Sequence, residues 1–115
     1  MTNPSKRKGT DYENRARDFW RAEGVLACER LAQGGRNDRG DLTGFGPGIV
    51  VECKNTKAFE PAKWLDELEA EMRNAGADIG WVHFPRRGRP FTDGGCLVPP
   101  LVLAALLRQA GWIAD

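Results

Sequence analysis

Two carboxylates and one lysine lie close to a short apolar segment of this chain. Residues 49–51 are Ile-Val-Val, Glu52 and Lys54 follow them, and Asp41 precedes them. Side chains of a strand alternate between its two faces, so Glu52 and Lys54 would point the same way. A charge at the end of a buried strand costs free energy unless a partner compensates it. The pattern therefore indicates a site where these charges meet a partner.

The spacing of these residues favours a metal and a phosphate as that partner. Asp41 begins an earlier apolar segment, and the turn at 44–48 allows the two segments to pair as a hairpin that brings Asp41 beside Glu52. Paired carboxylates suit Mg²⁺ or Mn²⁺, with the backbone carbonyl of Cys53 as a further ligand. Lys54 could stabilise charge that develops on a phosphate or on attacking water. The alternative is a salt-bridged strand end with Glu52 and Lys54 in solvent.

The surrounding pattern predicts an α/β fold. Apolar spacing indicates a first helix over 11–23, which Thr10 begins and Gly24 ends. A second helix starts at Pro61 and ends before Gly76. Strands are predicted at 25–32, 41–45, 49–54 and 77–87, with a short edge strand at 96–98, and an apolar helix at 99–112 that packs on the sheet and on something else, such as a partner subunit. The order α-β-β-β-α-β predicts a central mixed sheet flanked by helices.

Length and composition limit the classes of protein that fit. At 115 residues the chain predicts a flexible basic arm over 1–9 and a single domain over 10–115. Its three cysteines lack CxxC spacing, which favours a reduced cytoplasmic setting over a disulfide framework or structural zinc. No apolar run reaches the roughly 18 residues of a membrane span. The one histidine excludes a histidine-based metal cluster, and it is predicted to be a core residue.

Basic residues are clustered although the net charge is only +1. Such clusters can contact the phosphates of DNA without reading its sequence. The alternative is that each cluster is simply solvated. The predicted DNA-binding residues are Lys6, Arg7, Lys8, Arg36, Arg39, Lys57, Arg86, Arg87 and Arg89.

The motif D-(x)10-ExK, formed by Asp41, Glu52 and Lys54, resembles the core of the PD-(D/E)XK nucleases. The likeness is greatest to archaeal-type Holliday junction resolvases and similar phage enzymes. It rests on KRKGTDYE, GGRNDRGD and VVECK in that order, and Gly40 stands where the motif has proline. The resemblance implies a restriction-endonuclease-like three-layer core with Asp41, Glu52 and Lys54 as catalytic residues. It also implies that Glu13, on the first helix, helps to hold a second metal.

By the same resemblance the chain would be a Mg²⁺-dependent endodeoxyribonuclease, with Mn²⁺ able to substitute. It would cut four-way DNA junctions as a homodimer by phosphodiester hydrolysis, in the cytoplasm of a bacterial cell. The compact chain suggests a phage or prophage origin. Two alternatives keep the same fold: a restriction or repair nuclease on duplex, flap or single-stranded DNA, and a non-catalytic nucleic-acid-binding module. Glu13 has an alternative too, because Thr10 and Glu13 have the spacing of a helix capping box.

Overall fold

The computed structural model describes residues 4–31 and 40–115, with side chains from residue 7 onward. These ranges form an α/β fold of three helices and a five-stranded sheet, in the order α-β-β-β-α-β-β-α. None of the helices in this part of the chain is both long and apolar enough to cross a membrane. The helices are α1 (Pro4–Ala22), α2 (Pro61–Ala75) and α3 (Pro100–Gln109), and the strands are β1 (Glu29–Arg30), β2 (Leu42–Thr43), β3 (Ile49–Cys53), β4 (Ile79–Phe84) and β5 (Gly95–Leu97).

The sheet is mixed, as predicted, and its strands lie in chain order from β1 to β5. β3 and β4 are parallel, whereas every other neighbouring pair is antiparallel. Val51 is paired with Leu42 on one side and with Trp81 on the other. Because parallel strands end at the same edge of a sheet, the segments that follow β3 and β4 emerge side by side.

The central strand β3 is buried on both faces, which explains its continuous apolar run. Val51 packs in a cluster with Ala16 of α1. Val50 packs in a second cluster with Trp64 and Leu68 of α2. The two helices therefore cover opposite faces of β3, since neighbouring residues of a strand face opposite ways.

The first helix begins earlier than the sequence predicted. α1 starts at Pro4, so the described part of the predicted flexible arm is helical and Thr10 lies inside the helix instead of capping it. Proline is favourable in a first helical turn, and lysine and arginine have high helix propensity. Local propensity thus extends the helix through a segment whose polarity suggested an arm.

The segment after α1 forms less strand than predicted. Val25 N–H donates to the Trp20 carbonyl and Cys28 N–H donates to the Val25 carbonyl, so the chain turns back against α1. Residues 25–28 are consequently engaged in turns, and of the predicted strand residues that the structure describes, 25–31, only Glu29–Arg30 joins the sheet.

The last helix is buried on one side only. Val102 packs into the protein, but Leu101 is 85% exposed and Leu103 is also exposed. The predicted packing on the sheet is found, because α3 contacts β4. Among the described residues no second layer covers Leu101 and Leu103, and dimerisation through α3 remains a prediction.

An aromatic cluster on the α1 side of the sheet encloses His83, which is buried as predicted. The indole N–H groups of Trp20 and Trp81 both donate to His83 Nε2, at 2.9 and 3.0 Å. The neutral ring therefore carries its proton on Nδ1, which lies 3.3 Å from Cys96 Sγ. Burial lowers the pKa of His83 to about 4. A second ring proton would have to sit on Nε2, where it would meet the two indole N–H donors and no acceptor.

The segment that follows β2 approaches the turn after α1 closely at Gly44, and substitutions at Gly44 and Gly46 can measure this. Both have positive φ, 103° and 101°, but an added Cβ at Gly44 would overlap the Ala27 backbone whereas one at Gly46 meets nothing. Gly46→Ala should lower the free energy of unfolding by about 1–2 kcal/mol through backbone strain alone. Gly44→Ala should lower the free energy of unfolding by clearly more, because the added Cβ would also displace the backbone of Ala27. Urea unfolding of the two variants measures the difference, and equal losses would contradict the close approach.

His83 should make stability fall in mild acid. The native pKa of about 4 lies below the usual value near 6.5, so between these values the unfolded chain binds a proton that the native protein does not. Stability contributed by neutral His83 is complete above pH 6.5 and is lost as the pH falls, by up to about 3 kcal/mol near pH 4.

The measurement is the free energy of unfolding from pH 7 to 4 for the wild type and for His83→Gln. Glutamine can still accept an indole N–H but does not titrate, and carboxylates titrate in both proteins. The wild type should therefore lose more stability than the variant, and parallel pH profiles would show that His83 is not responsible.

Candidate active site

Asp41 is held against the end of β3 by two hydrogen bonds to the backbone of that strand. Its own N–H donates to the Val51 carbonyl at 2.8 Å, and the Cys53 N–H donates to its Oδ2 at 2.7 Å. The carboxylate thus lies along the peptide that joins Glu52 to Cys53, and the residue is 8% exposed. The predicted hairpin between β2 and β3 is the cause, because pairing Leu42 with Val51 brings Asp41 level with Glu52.

Glu52 is a charged residue that is almost completely buried. It is only 3% exposed, and Oε1 has no hydrogen-bond partner among the residues that the structure describes. Alternation along β3 puts it on the same side as Val50, towards α2. Because Glu52 is 3% exposed, its interpretation as a solvated strand end is wrong. Burying a carboxyl oxygen without a hydrogen-bond partner is costly.

Lys54 follows β3 directly and lies on the same side. Its N–H donates to the His83 carbonyl at 2.8 Å, which continues the parallel pairing beyond the strand. Its ammonium group is ion-paired with Glu67 of α2. The predicted common face of Glu52 and Lys54 is therefore found, but the lysine has a carboxylate partner, Glu67, that the sequence pattern did not indicate.

Glu13 lies on α1 and binds the sheet instead of capping the helix. Arg30 of β1 donates from Nε to its Oε1 at 3.1 Å. The capping box with Thr10 is excluded, because Thr10 lies within α1 and its backbone N–H is not at a free helix end. The missed partner, Arg30, could not be found from local sequence because it comes from a different element.

The pKa of the Cys53 thiol is raised by its surroundings. Burial raises its pKa most, and the Asp41 and Glu13 carboxylates raise it further. Cys53 is therefore a neutral thiol and not a nucleophile. The same two carboxylates that oppose a thiolate would favour a cation nearby.

The carboxylates fit Mg²⁺ better than a metal that needs many protein ligands. Within 4–31 and 40–115 no group of three or more His, Cys, Asp or Glu side chains is arranged to hold a metal. Mg²⁺ uses one or two carboxylates and completes its shell with water and substrate phosphate. Asp41 and Glu52, which are level across the β2–β3 pairing, would supply such a pair. Glu52 Oε1 has no hydrogen-bond partner among the described residues, and the carbonyl of Cys53, the last residue of β3, is the predicted further ligand. Glu13, whose carboxylate helps to raise the pKa of Cys53, would act from the side of α1.

A basic cleft opens beside the carboxyl ends of β3 and β4. Its volume is about 530 Å³, and of the described residues that line it seven are basic and one, Asp11, is acidic. Arg15 also lines the cleft, although it belongs to none of the basic clusters in the sequence that predicted DNA contacts. The predicted DNA-binding residues found there are Arg7, Lys8, Lys57, Arg86, Arg87 and Arg89. Arg36, Arg39 and the Lys6 side chain lie outside the described parts of the chain.

Three separate segments supply the basic residues of the cleft: the first turns of α1, the loop after β3 and the loop after β4. Asn55 ties two of them together, since its side-chain amide donates to the Lys8 carbonyl at 3.3 Å. The parallel pairing of β3 with β4 places both loops at one edge of the sheet, next to Lys54. Clusters far apart in sequence therefore form one basic surface.

The burial of Glu52 predicts a stability gain when its charge is removed. Glu52→Gln should raise the free energy of unfolding by about 1 kcal/mol in EDTA at neutral pH, because a neutral amide costs less to bury than a carboxylate. Glu69→Gln, on the exposed side of α2, is the control and should change it by less than about 0.5 kcal/mol. Denaturant unfolding measures both, and a Glu52→Gln protein less stable than the control would show that Glu52 is stabilised where it lies.

Comparisons with protein-family models, with curated proteins and with solved structures find no match for this chain.

Proposed function

We propose that this protein is a Mg²⁺-dependent, structure-selective DNA endonuclease of the PD-(D/E)XK type, most like a Holliday junction resolvase. The observation that carries the proposal is the buried Glu52, whose Oε1 has no partner among the described residues, level with Asp41. A protein retains such a costly group when function requires it. The adjoining basic cleft supplies the charge that would hold a phosphate backbone at the same edge of the sheet.

In this proposal each residue acts from the position described above. Asp41, Glu52 and the Cys53 carbonyl would hold Mg²⁺, with Glu13 assisting from α1. Bound Mg²⁺ would supply Lewis-acid polarisation of the scissile phosphate and lower the pKa of the attacking water. Lys54 would orient that water or stabilise charge that develops on the phosphate. The products would be 5′-phosphate and 3′-hydroxyl ends.

The finer architecture belongs to the same proposal. The packing of α1 and α2 on opposite faces of β3 is compatible with a restriction-endonuclease-like three-layer core. Symmetric cutting of a four-way junction needs two sites related by a two-fold axis, which a homodimer supplies. The exposed Leu101 and Leu103 of α3 offer an apolar surface for a second subunit.

One observation favours a second candidate, a non-catalytic nucleic-acid-binding module. Lys54 is ion-paired with Glu67, so the lysine must leave or share that partner to act on a phosphate. A binding module would use the cleft alone and would need neither Mg²⁺ nor Lys54.

Cleavage of a labelled mobile four-way junction tests the proposal, beside matched duplex, flap and single strand, with Mg²⁺ or EDTA. Wild-type protein should make paired symmetric nicks in the junction with Mg²⁺ only. Lys54→Ala should cut at least about a hundredfold more slowly, because it removes a donor to the reacting phosphate. Lys63→Ala is the matched control, since Lys63 is an exposed α2 lysine ion-paired with Glu60 and should leave the rate unchanged.

Thermal unfolding gives a readout that does not depend on the substrate. Mg²⁺ should raise the melting temperature of the wild type but not that of Glu52→Gln, because only a native-state ligand stabilises. Cleavage of other substrates but not the junction would move the function to restriction or repair. Tight DNA binding without cleavage or a Mg²⁺ effect would contradict the nuclease and leave the binding module.

A further inference from the structure

Phe59 is an exposed aromatic residue that packs against two other aromatic rings at the wall of the basic cleft. It is 59% exposed. Its ring centroid lies 5.3 Å from that of Trp64, in an edge-to-face arrangement, and 5.1 Å from that of Phe84. The loop that carries it is braced, because the Thr56 hydroxyl donates to the Ala58 carbonyl at 2.9 Å.

A structural role explains only part of this arrangement. Glu60 is the N-cap of α2, so Phe59 precedes the cap and Trp64 is the fourth helical residue. Contact between these two positions is a hydrophobic staple, which fixes how the chain enters a helix. A staple needs an apolar side chain but not an aromatic one, and it does not account for a ring that is more than half exposed at the wall of the cleft.

The surroundings of the ring show what it could meet. The cleft walls include Lys57, Arg86 and Arg87, so an anionic chain would be drawn in past the ring. Every nucleobase has a flat face that can stack on an aromatic side chain. The bases of a duplex are already stacked inside it and cannot reach such a ring unless they are unpaired.

We propose that Phe59 is a stacking platform for an unpaired base and that the basic cleft holds a single-stranded segment of nucleic acid. The basic side chains contact its phosphates, and the ring takes a base that has left the duplex. The inference deepens the proposed nuclease function, on which it rests for the identity of the bound polymer, by naming the part of a branched substrate that enters the cleft.

Nucleic-acid binding measured in EDTA tests this inference separately from cleavage, because EDTA removes the Mg²⁺ that cleavage would require. Fluorescence anisotropy compares a labelled single strand with a blunt duplex of the same length, and 2-aminopurine in the single strand reports stacking by quenching. Phe59→Leu keeps the staple and loses the ring face, whereas Phe59→Trp keeps both. Leu26→Ala removes another exposed apolar side chain that does not line the cleft and serves as the control.

Phe59→Leu should bind the single strand about tenfold more weakly, with less quenching and with less than about a twofold change for the duplex. Phe59→Trp should restore the affinity, and Leu26→Ala should match the wild type. Arg87→Ala should weaken both ligands and lower the salt dependence by about one counterion.

Three results would overturn the inference: unchanged single-strand affinity in Phe59→Leu, equal losses for single strand and duplex, or a poly-glutamate ligand that depends on Phe59 in the same way. Failure of junction cleavage would leave these binding results untouched. The proposed nuclease and the stacking role can therefore fail separately.

Discussion

The parallel pairing of β3 with β4, buried on both faces, is the constraint on which the rest of the structure depends. Val50 and Val51 are fully buried on opposite sides of β3, so a helix must cover each face. Parallel strands cannot be joined by a tight turn, and α2 is the crossover that their pairing requires. The burial of β3 on both faces therefore determines where α1 and α2 pack. Its parallel pairing with β4 places the ends of both strands at one edge of the sheet.

Apolar burial along β3 offsets the cost of a charged residue at its end. Glu52 continues the strand directly after two fully buried valines and stays 3% exposed, although its Oε1 has no partner within the described ranges. The peptide after it is held by Asp41, which ties the site to β2. The chemistry of the edge is thus supported by a rigid scaffold, while the basic cleft is built from the loops that leave the same edge.

Local sequence predicted elements well where a single physical signal dominated. α2 was predicted from Pro61, its apolar stripe and Gly76, and Gly76 indeed adopts the left-handed conformation that ends the helix. Local sequence failed where two signals competed. The polar segment before Thr10 suggested an arm, but its helix-forming residues extend α1 back to Pro4. Residues 25–28 had strand composition, yet contacts with α1 hold them in turns.

The sequence by itself determined the α/β order, the burial of β3 and the shared side of Glu52 and Lys54, because these depend on periodicity within one segment. It also identified most of the basic residues that line the cleft. Only the tertiary structure decided the partners: Arg30 for Glu13, Glu67 for Lys54, and the Cys53 N–H for Asp41. It likewise brought Phe59 to the wall of a cleft formed with α1 and the loop after β4. Such contacts join residues distant along the chain, and local periodicity carries no information about which distant side chain will occupy the space opposite.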